Sequence, residues 1–346
     1  RYVSGKWSPI ATDADDKAYR QLPEPNCEDV CETVWKGKPN IPFQALWCMG
    51  CYGPWLVIGC ESGRLELWHK LTGRLCGTYT DNSEGVTTVT VSGHRVIVSR
   101  ISGILECWHL EITPERKASE SKAGNGSGSE ALAKLVWVNS VRAHTQPISV
   151  VCMGGGQVVT GSLDRLLKVF RCDTAMCVYT LHGHSGGISA IHVETPGASM
   201  AVSGCQEGVV CVWDLMTGTC AYSLTAHRGA VLALRTSSLY LLSLGSDSRL
   251  RIWEKTQGHL LHTLYQANSL CRNMELLSEN VVITAKEDHL VLWDMNHGEA
   301  IQVIMLGPSD SGISIHQLHR TAEAVLCDYG YELCVVYFPA LSTKVD

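Results

Sequence analysis

The stretch LHGHSGGISAIHVETPGASMAVSGCQEGVVCVWD, residues 181–214, determines how the rest of the chain can be interpreted. It contains three short apolar runs separated by turn residues, at 188–193, 199–203 and 209–213. A Gly-His pair opens the unit and a Trp-Asp pair closes it. Each run has the length and β-branched content of a strand, and none is long enough for a helix. The stretch therefore predicts a small β-sheet.

The tryptophan that ends the third run recurs at near-constant spacing. The intervals between successive members are 40, 62, 43, 40, 40 and 44 residues. The one long interval contains the Ser-, Gly-, Ala-, Lys- and Glu-rich tract 112–134, which has no apolar period and which we expect to be a disordered insertion. A repeat of this length with four strands is typical of propeller blades, and residues 30–338 resemble WD-repeat β-propellers. The members of the series are Trp68, Trp108, Phe170, Trp213, Trp253, Trp293 and Tyr337.

The repeats predict an all-β, seven-bladed WD-repeat β-propeller over residues 29–346, preceded by a leader or linker at residues 1–28. The seventh blade lacks an outer strand in the sequence pattern. Residues 30–36 (VCETVWK) lie just before the first blade, where an outer strand falls in the repeat. We expect this segment to pair with residues 333–337 and close the ring, which leaves few exposed strand edges.

Three blades carry a histidine, a hydroxyl, an acid and an aromatic residue at the offsets of the WD-repeat hydrogen-bonded tetrad. A buried histidine must satisfy both ring nitrogens, and a neighbouring carboxylate can satisfy one of them. The first, second and seventh blades lack the set, so we expect apolar packing to hold them and their stability to be lower. Ser62, Ser102 and Tyr331 occupy their acid positions. The predicted tetrads are His144, Thr160, Asp164 and Phe170; His184, Ser203, Glu207 and Trp213; and His227, Ser243, Asp247 and Trp253.

The same residue types form the catalytic triad of hydrolases. A catalytic nucleophile occurs once, beside a single oxyanion site, whereas this set recurs in several blades. The repetition indicates a structural role, and we predict that the chain is not an enzyme and has no catalytic residue.

Composition excludes several other classes of protein. The net charge of −6 gives no global basic surface for nucleic acid. The sequence contains no run of 18 apolar residues, the length that spanning a membrane requires. The chain starts at Arg1 without an initiator Met or a signal-peptide pattern, so we expect it to be part of a longer protein.

The sixteen cysteines lie largely within apolar strands, which indicates free thiols in a reducing, cytosolic compartment. The Cys48-Met49-Gly50-Cys51 motif stands without the second ligand pair that a zinc site needs. We therefore predict no metal and no cofactor.

Five arginines fall at or next to turns on the tetrad-bearing end of the predicted propeller. The planar guanidinium pairs bidentately with carboxylates, so several arginines together could bind an acidic partner. Ordinary solvated surface is the alternative, because an isolated exposed ion pair contributes only about 0–1 kcal/mol. The predicted partner-binding residues are Arg100, Arg165, Arg228, Arg249 and Arg251.

Longer runs carry a more specific resemblance. The segments TGSLDRLLKVFR (160–171), TAHRGAV (225–231) and CDYGYELCVVYFPAL (327–341) resemble the C-terminal WD-repeat domain of the sterol regulatory element-binding protein cleavage-activating family, the sterol-regulated escort proteins. The resemblance implies a protein-interaction domain that binds the C-terminal regulatory domain of the membrane-bound, sterol-responsive transcription factor. The complex would then move from the endoplasmic reticulum to the Golgi for proteolytic activation.

The resemblance also implies a location on the cytosolic face of both membranes, with attachment only through an upstream region. Since sterol sensing would belong to that region, we expect no sterol to bind here. The alternative is a substrate receptor of a ubiquitin ligase, or a scaffold in another complex. Such receptors often carry Trp-Asp-x-Arg, and this chain has Met216 and Asn296 at the arginine position.

Overall fold

Every regular element in the described part of the chain is a β-strand, which confirms the all-β prediction. The computed structural model describes residues 7–9, 46–69, 74–80, 84–113, 132–194, 197, 199–265, 274–286, 289–305, 315, 317–320, 324–328 and 333–337. Within these ranges there is no helix of the length and apolarity that crossing a bilayer requires.

The strands of the described ranges form seven sheets, and in six of them four strands that follow one another in the chain lie side by side. Sheet 1 contains β2 (Leu46–Tyr52), β3 (Trp55–Cys60), β4 (Leu65–His69) and β5 (Arg74–Tyr79). Sheet 2 contains β6 (Val86–Ser92), β7 (Arg95–Arg100), β8 (Ile104–Thr113) and β9 (Leu132–Arg142). Sheet 3 contains β10 (Ile148–Gly154), β11 (Gln157–Ser162), β12 (Leu167–Arg171) and β13 (Cys177–Leu181). Sheet 4 contains β14 (Ile188–Val193), β15 (Met200–Cys205), β16 (Val209–Asp214) and β17 (Thr219–Thr225).

Sheet 5 contains β18 (Val231–Thr236), β19 (Tyr240–Gly245), β20 (Arg249–Glu254) and β21 (Leu260–Tyr265). Sheet 6 contains β22 (Met274–Leu276), β23 (Val281–Lys286), β24 (His289–Asp294) and β25 (Glu299–Met305). Sheet 7 contains β26 (Gln317–Arg320), β27 (Ala324–Asp328) and β28 (Leu333–Tyr337).

The N-terminal segment adds a strand to sheet 6. The strand β1 (Trp7–Pro9) pairs antiparallel with β25, with Trp7 opposite Ile304. Part of the predicted leader, residues 1–28, is therefore an edge strand. Residues 30–36 lie outside the described ranges, so their pairing with β28 and the closed ring of seven blades stay predictions.

The tract predicted as an insertion, residues 112–134, begins and ends inside a hairpin. The strand β8 continues to Thr113 and β9 starts at Leu132, and these two residues face each other across the ladder. The boundaries predicted from composition are therefore too wide. Residues 114–131 lie outside the described ranges.

A β-bulge accompanies each recurring aromatic residue of sheets 1 to 6. The register between the third and fourth strands shifts just before Trp68, Trp108, Phe170, Trp213, Trp253 and Trp293. A bulge bends its strand, increases the local twist and re-aims the side chain beside it. The spacing of the aromatic residues therefore also marks where each sheet twists.

The hydrophobic core lies between successive sheets of each of two compact units, Pro39–Ile148 (the smaller unit) and Arg1–Lys38 with Ser149–Asp346 (the larger unit). In the smaller unit, Trp108 of sheet 2 shares a cluster with Leu65 and Leu67 of sheet 1. In the larger unit, Trp213 of sheet 4 shares a cluster with Val159 of sheet 3. Trp253 of sheet 5 is placed in the same way against sheet 4. These three tryptophans thus each join their own sheet to the one before it.

A second contact between sheets runs along their outer strands in the larger unit. The Tyr179 hydroxyl on β13 donates to the Met216 carbonyl, 2.9 Å away in the β16–β17 turn. Gly218 of that turn has a φ of 71°, and a Cβ there would lie 2.6 Å from the Tyr179 ring. Only glycine tolerates both the positive φ and the close ring, so Tyr179 of sheet 3 packs directly on the turn of sheet 4. The equivalent pairs are Tyr222 with the Lys255 carbonyl and His262 with the Asn296 carbonyl.

We predict that Trp213→Ala lowers the free energy of unfolding by about 3–5 kcal/mol, because it removes a large side chain from between two sheets. Trp213 is 1% exposed, whereas Trp137 is 50% exposed and serves as the matched control. Urea denaturation measures both variants. Equal losses for Trp213→Ala and Trp137→Ala would contradict the assigned core.

Candidate protein-interaction site

The predicted tetrad of sheet 5 comes together in the structure. His227 Nε2 lies 2.8 Å from Ser243 Oγ, and His227 Nδ1 lies 2.8 Å from Asp247 Oδ1. The Trp253 indole donates to Ser243 Oγ over 2.9 Å. Since a carboxylate only accepts, Nδ1–H donates to Asp247 and the serine hydroxyl donates to Nε2. This chain of hydrogen bonds fixes the histidine tautomer and holds the β17–β18 loop on the sheet.

The serine of this set is inaccessible to a substrate, which distinguishes the set from a catalytic triad. Ser243 is 0% exposed, and its oxygen already accepts the indole N–H of Trp253. A substrate carbonyl would have to displace a buried tryptophan to reach Ser243 Oγ. The geometry therefore supports a structural role for His227, Ser243 and Asp247.

Sheet 4 forms the same network with a thiol in the place of the carboxylate. His184 Nε2 lies 2.6 Å from Ser203 Oγ, and the Trp213 indole donates to that oxygen over 2.7 Å. His184 Nδ1 faces the thiol of Cys211 at 3.9 Å, while Glu207 is exposed to solvent. The prediction that Glu207 partners His184 is corrected, because a buried thiol on the neighbouring strand takes that place.

The group that faces Nδ1, a thiol or a carboxylate, affects the pKa of the histidine. Burial lowers the pKa of His184 to about 4. Burial also lowers the pKa of His227, but the hydrogen bond and charge of Asp247 act in the opposite direction. Burial therefore favours the neutral form of both imidazoles.

The third predicted tetrad is divided between the two units. His144 lies in the smaller unit, where it is buried and its backbone N–H donates to the Gly103 carbonyl. Thr160, Asp164 and Phe170 lie in the larger unit. There the Thr160 hydroxyl donates to the Lys168 carbonyl, and Asp164 Oδ1 accepts the Leu166 N–H. The tetrad of sheet 3 stays a prediction.

Sheets 1 and 2 satisfy their buried indoles with glutamates. Trp68 Nε1 donates to Glu66 over 2.9 Å, and Trp108 Nε1 donates to Glu106 over 3.1 Å. Each glutamate lies two residues before its tryptophan on the same strand, and Arg64 pairs with Glu66 at 2.6 Å. The sequence signal is Glu-x-Trp, and the spacing alone does not show that the carboxylate accepts the indole N–H.

In sheet 2 the glutamate has a fully buried arginine partner. Arg100 donates through Nε and Nη2 to the two oxygens of Glu106, each over 2.9 Å. Its Nη1 donates to the carbonyls of Gly63 and Glu84. Sheets 1 and 2 thus add buried ion pairs to the apolar cluster that they share, and the prediction that apolar packing mainly holds them stays a prediction.

The five predicted partner-binding arginines fall into two groups. Arg100 is 1% exposed and occupied by Glu106, and Arg251 is mostly buried against Asp247 and the Ala226 carbonyl. Assigning these two to a partner surface was wrong, because both hold internal networks. Arg165 and Arg228 are exposed and Arg249 is partly exposed.

The three remaining arginines lie at one edge of the larger unit. This edge, here named the tetrad edge, contains the β11–β12 turn, the β17–β18 loop and the start of β20. Arg165 has a φ of 70° in its turn, so its backbone occupies the left-handed region. Loops that buried hydrogen bonds fix to a rigid sheet can hold such exposed side chains in defined positions.

The CxxC motif does not form a chelating pair. Cys48 and Cys51 lie three residues apart in the regular part of β2, so their side chains point to opposite faces. Burial raises the pKa of the Cys48 thiol to about 12, which opposes the thiolate form that metals bind. Among the residues that the structure describes, no cluster of three or more potential metal ligands occurs.

Four-stranded antiparallel sheets that follow one another along the chain define the β-propeller class of all-β proteins. The family model named SCAP Beta-propeller matches residues 9–337. The chain belongs to this family. The domain that defines it is a protein-interaction scaffold, and the family is not a known enzyme family.

Known proteins show how far the similarity extends. The sterol regulatory element-binding protein cleavage-activating protein of Xenopus laevis is 29% identical over 313 residues, which is 87% of this chain and 24% of that protein. This chain thus spans about a quarter of that relative. The WD repeat-containing protein pop1 of Schizosaccharomyces pombe is 25% identical over 24% of this chain and 11% of its own length.

A solved structure shows similarity of fold alone. The computationally designed Ika8 protein superposes with a TM-score of 0.59 at 20% identity. The match covers 85% of this chain and 96% of the designed one.

We predict that stability falls as the pH drops from about 6.5 towards 4, because His184 and His227 have lowered pKa values in the folded chain. In this window the unfolded chain binds more protons, so acidification favours unfolding. Denaturation of wild type and His184→Asn across the window measures the effect. The variant should show a shallower pH dependence, and an unchanged slope would contradict a neutral buried His184.

We predict that Arg100→Met lowers the free energy of unfolding by about 3–5 kcal/mol, since it leaves Glu106 buried without its cation. Arg165→Met makes the same chemical change at an exposed position and should stay within about 0.5 kcal/mol of wild type. Denaturant titration compares the two. A small loss for Arg100→Met would show that the Glu106 network is dispensable.

Proposed function

We propose that this chain is the partner-binding domain of a sterol-regulated escort protein. Its partner is the C-terminal regulatory domain of the sterol regulatory element-binding transcription factor. The observation that carries the proposal is the family match over residues 9–337, together with a relative named for activating the cleavage of that factor. In this role the domain works on the cytosolic face of the endoplasmic reticulum and Golgi membranes, and escorts the factor from one to the other for proteolysis.

The tetrad edge supplies the chemistry for binding. Arg165 and Arg228 lie in a turn and a loop, and Arg249 begins β20. The backbone N–H of Arg228 donates to Asp247 of the tetrad, which positions its exposed side chain. Guanidinium groups at fixed spacing select carboxylates that match their geometry, and they raise the association rate with an acidic partner. The proposal therefore assigns an acidic surface to the bound region of the factor.

Arg251 is excluded from this surface for a physical reason. A glutamate at position 251 would lie against the Asp247 carboxylate, which sits 3.3 Å from the arginine in the wild-type chain. Such a change would disturb the tetrad and confuse lost binding with lost folding.

We predict that the triple variant Arg165→Glu, Arg228→Glu and Arg249→Glu weakens binding of the factor's regulatory domain at least about tenfold, equivalent to about 1.4 kcal/mol. Isothermal titration calorimetry at low and physiological salt measures the affinity, and the wild-type affinity should fall with salt. The control is Arg95→Glu, which makes the same change at an exposed arginine at the start of β7.

Wild-type affinity in the triple variant would overturn the assignment of the tetrad edge. Absence of binding by the wild-type chain would overturn the proposed partner. An unchanged melting temperature in all variants excludes unfolding as the cause of any loss.

A further inference from the structure

The exposed apolar side chains of the larger unit collect at the edge opposite the tetrad edge. This edge, here named the turn edge, contains the turns that join first to second and third to fourth strands, with the adjoining strand ends. Met176 is 65% exposed and Met216 is 69% exposed. Among the described residues of this unit, two exposed large apolar side chains, Leu163 and Tyr265, lie towards the other edge. The six on the turn edge are Met176, Val178, Met216, Leu239, Leu260 and Leu261.

The lateral contacts between outer strands make these positions neighbours. Met176 and Val178 flank the start of β13, and Tyr179 of that strand donates to the carbonyl of Met216. The next contact joins Tyr222 to Lys255, which lies just before Leu260 and Leu261 in the chain. The exposed apolar side chains of three successive sheets therefore follow one another along the same edge, and they are here named the strip.

Carboxylates border the strip. Asp173 and Asp214 lie in the same turns as the two methionines, and Glu254 ends β20 in the next sheet. Turn hydrogen bonds lower the pKa of Asp214 and Glu254, so both carry full negative charge at neutral pH. The nearby cations, Arg171 and Lys255, are already paired with Asp173 and Glu194. Asp214 and Glu254 thus give the turn edge two carboxylates that these two cations do not pair with.

We propose that the turn edge is a second docking surface, which binds a basic, amphipathic segment of a partner protein. Methionine is unbranched and polarisable, and it packs against varied apolar side chains on surfaces that accept peptides. The apolar face of the segment covers Met176 and Met216, and its lysines or arginines meet Asp214 and Glu254 beside the Arg171–Asp173 pair. An anionic lipid surface would be repelled by the same carboxylates, which favours a basic protein segment as the occupant.

This surface is separate from the proposed site for the transcription factor, because the two lie at opposite ends of the strands. A partner bound at the turn edge would leave Arg165, Arg228 and Arg249 free. The domain would then connect two proteins at once.

The test uses the full chain and a short fluorescent peptide of leucine and lysine in amphipathic helical order. Fluorescence anisotropy measures its affinity, and methyl spectra of the methionines locate it. We expect saturable binding that weakens with salt, with resonance shifts at Met176 and Met216. A leucine and glutamate peptide of equal length, and vesicles of phosphatidylserine and phosphatidylcholine, should not bind.

Two pairs of substitutions separate the contributions. Met176→Ser with Met216→Ser should weaken binding at least about tenfold, equivalent to about 1.4 kcal/mol. Asp173→Asn with Asp214→Asn keeps an oxygen acceptor for the turn N–H groups, and should both weaken binding and flatten its salt dependence. The matched control is Thr180→Ser with Thr225→Ser, at exposed positions away from the strip.

The tetrad-edge variant Arg228→Glu with Arg249→Glu should bind the peptide as wild type does, so failure here and failure of the proposed function are distinguishable. Equal affinity in the methionine pair, equal binding of the acidic peptide, or binding to the vesicles would overturn the proposal.

Discussion

A buried indole N–H needs an acceptor, and the structure depends on how sheets 1, 2, 4, 5 and 6 supply one. Trp108, Trp213 and Trp253 pack against the preceding sheet, and their rings are buried. An unsatisfied donor there would cost about 1–3 kcal/mol. Sheets 4, 5 and 6 present a hydroxyl from the neighbouring strand, whereas sheets 1 and 2 present a glutamate from the same strand. The choice of acceptor then decides which residues can lie at the sheet edge.

In sheets 4 and 5 the hydroxyl acceptor is bonded to a loop histidine, and in sheets 1 and 2 the carboxylate acceptor is paired with an arginine. Ser243 can accept the indole and donate to His227, which connects the sheet to its loop. Glu106 cannot donate, and its charge calls for a cation, which Arg100 supplies. Both solutions fix a loop at the same end of the strands. The repeat is therefore constant in geometry and variable in chemistry.

Much of the fold could be predicted because its signals are local. The strand at residues 333–337 and the one at 188–193 were predicted with the bounds that the structure shows, since turn residues flank both apolar runs. The tetrad of His227 could be anticipated from spacing. Arg100 and Arg251 could not be placed, because a position beside a turn does not tell whether a side chain points outward or into a buried pair. Glu207 failed for a related reason: the sequence shows an acid at the right offset but not that Cys211 faces the imidazole.

The hairpin of β8 and β9 shows how sheet 2 accommodates a long connection. The Tyr79 hydroxyl of sheet 1 accepts the backbone N–H of Leu135, close to the end of the paired region. Twenty-one residues of strand lie in this hairpin, ten in β8 and eleven in β9, so the ladder is anchored well before the connection begins. The length and composition of the connection are thereby uncoupled from the register of the sheet. Chains of this architecture can gain or lose residues at this hairpin tip while every buried contact of the smaller unit keeps its place.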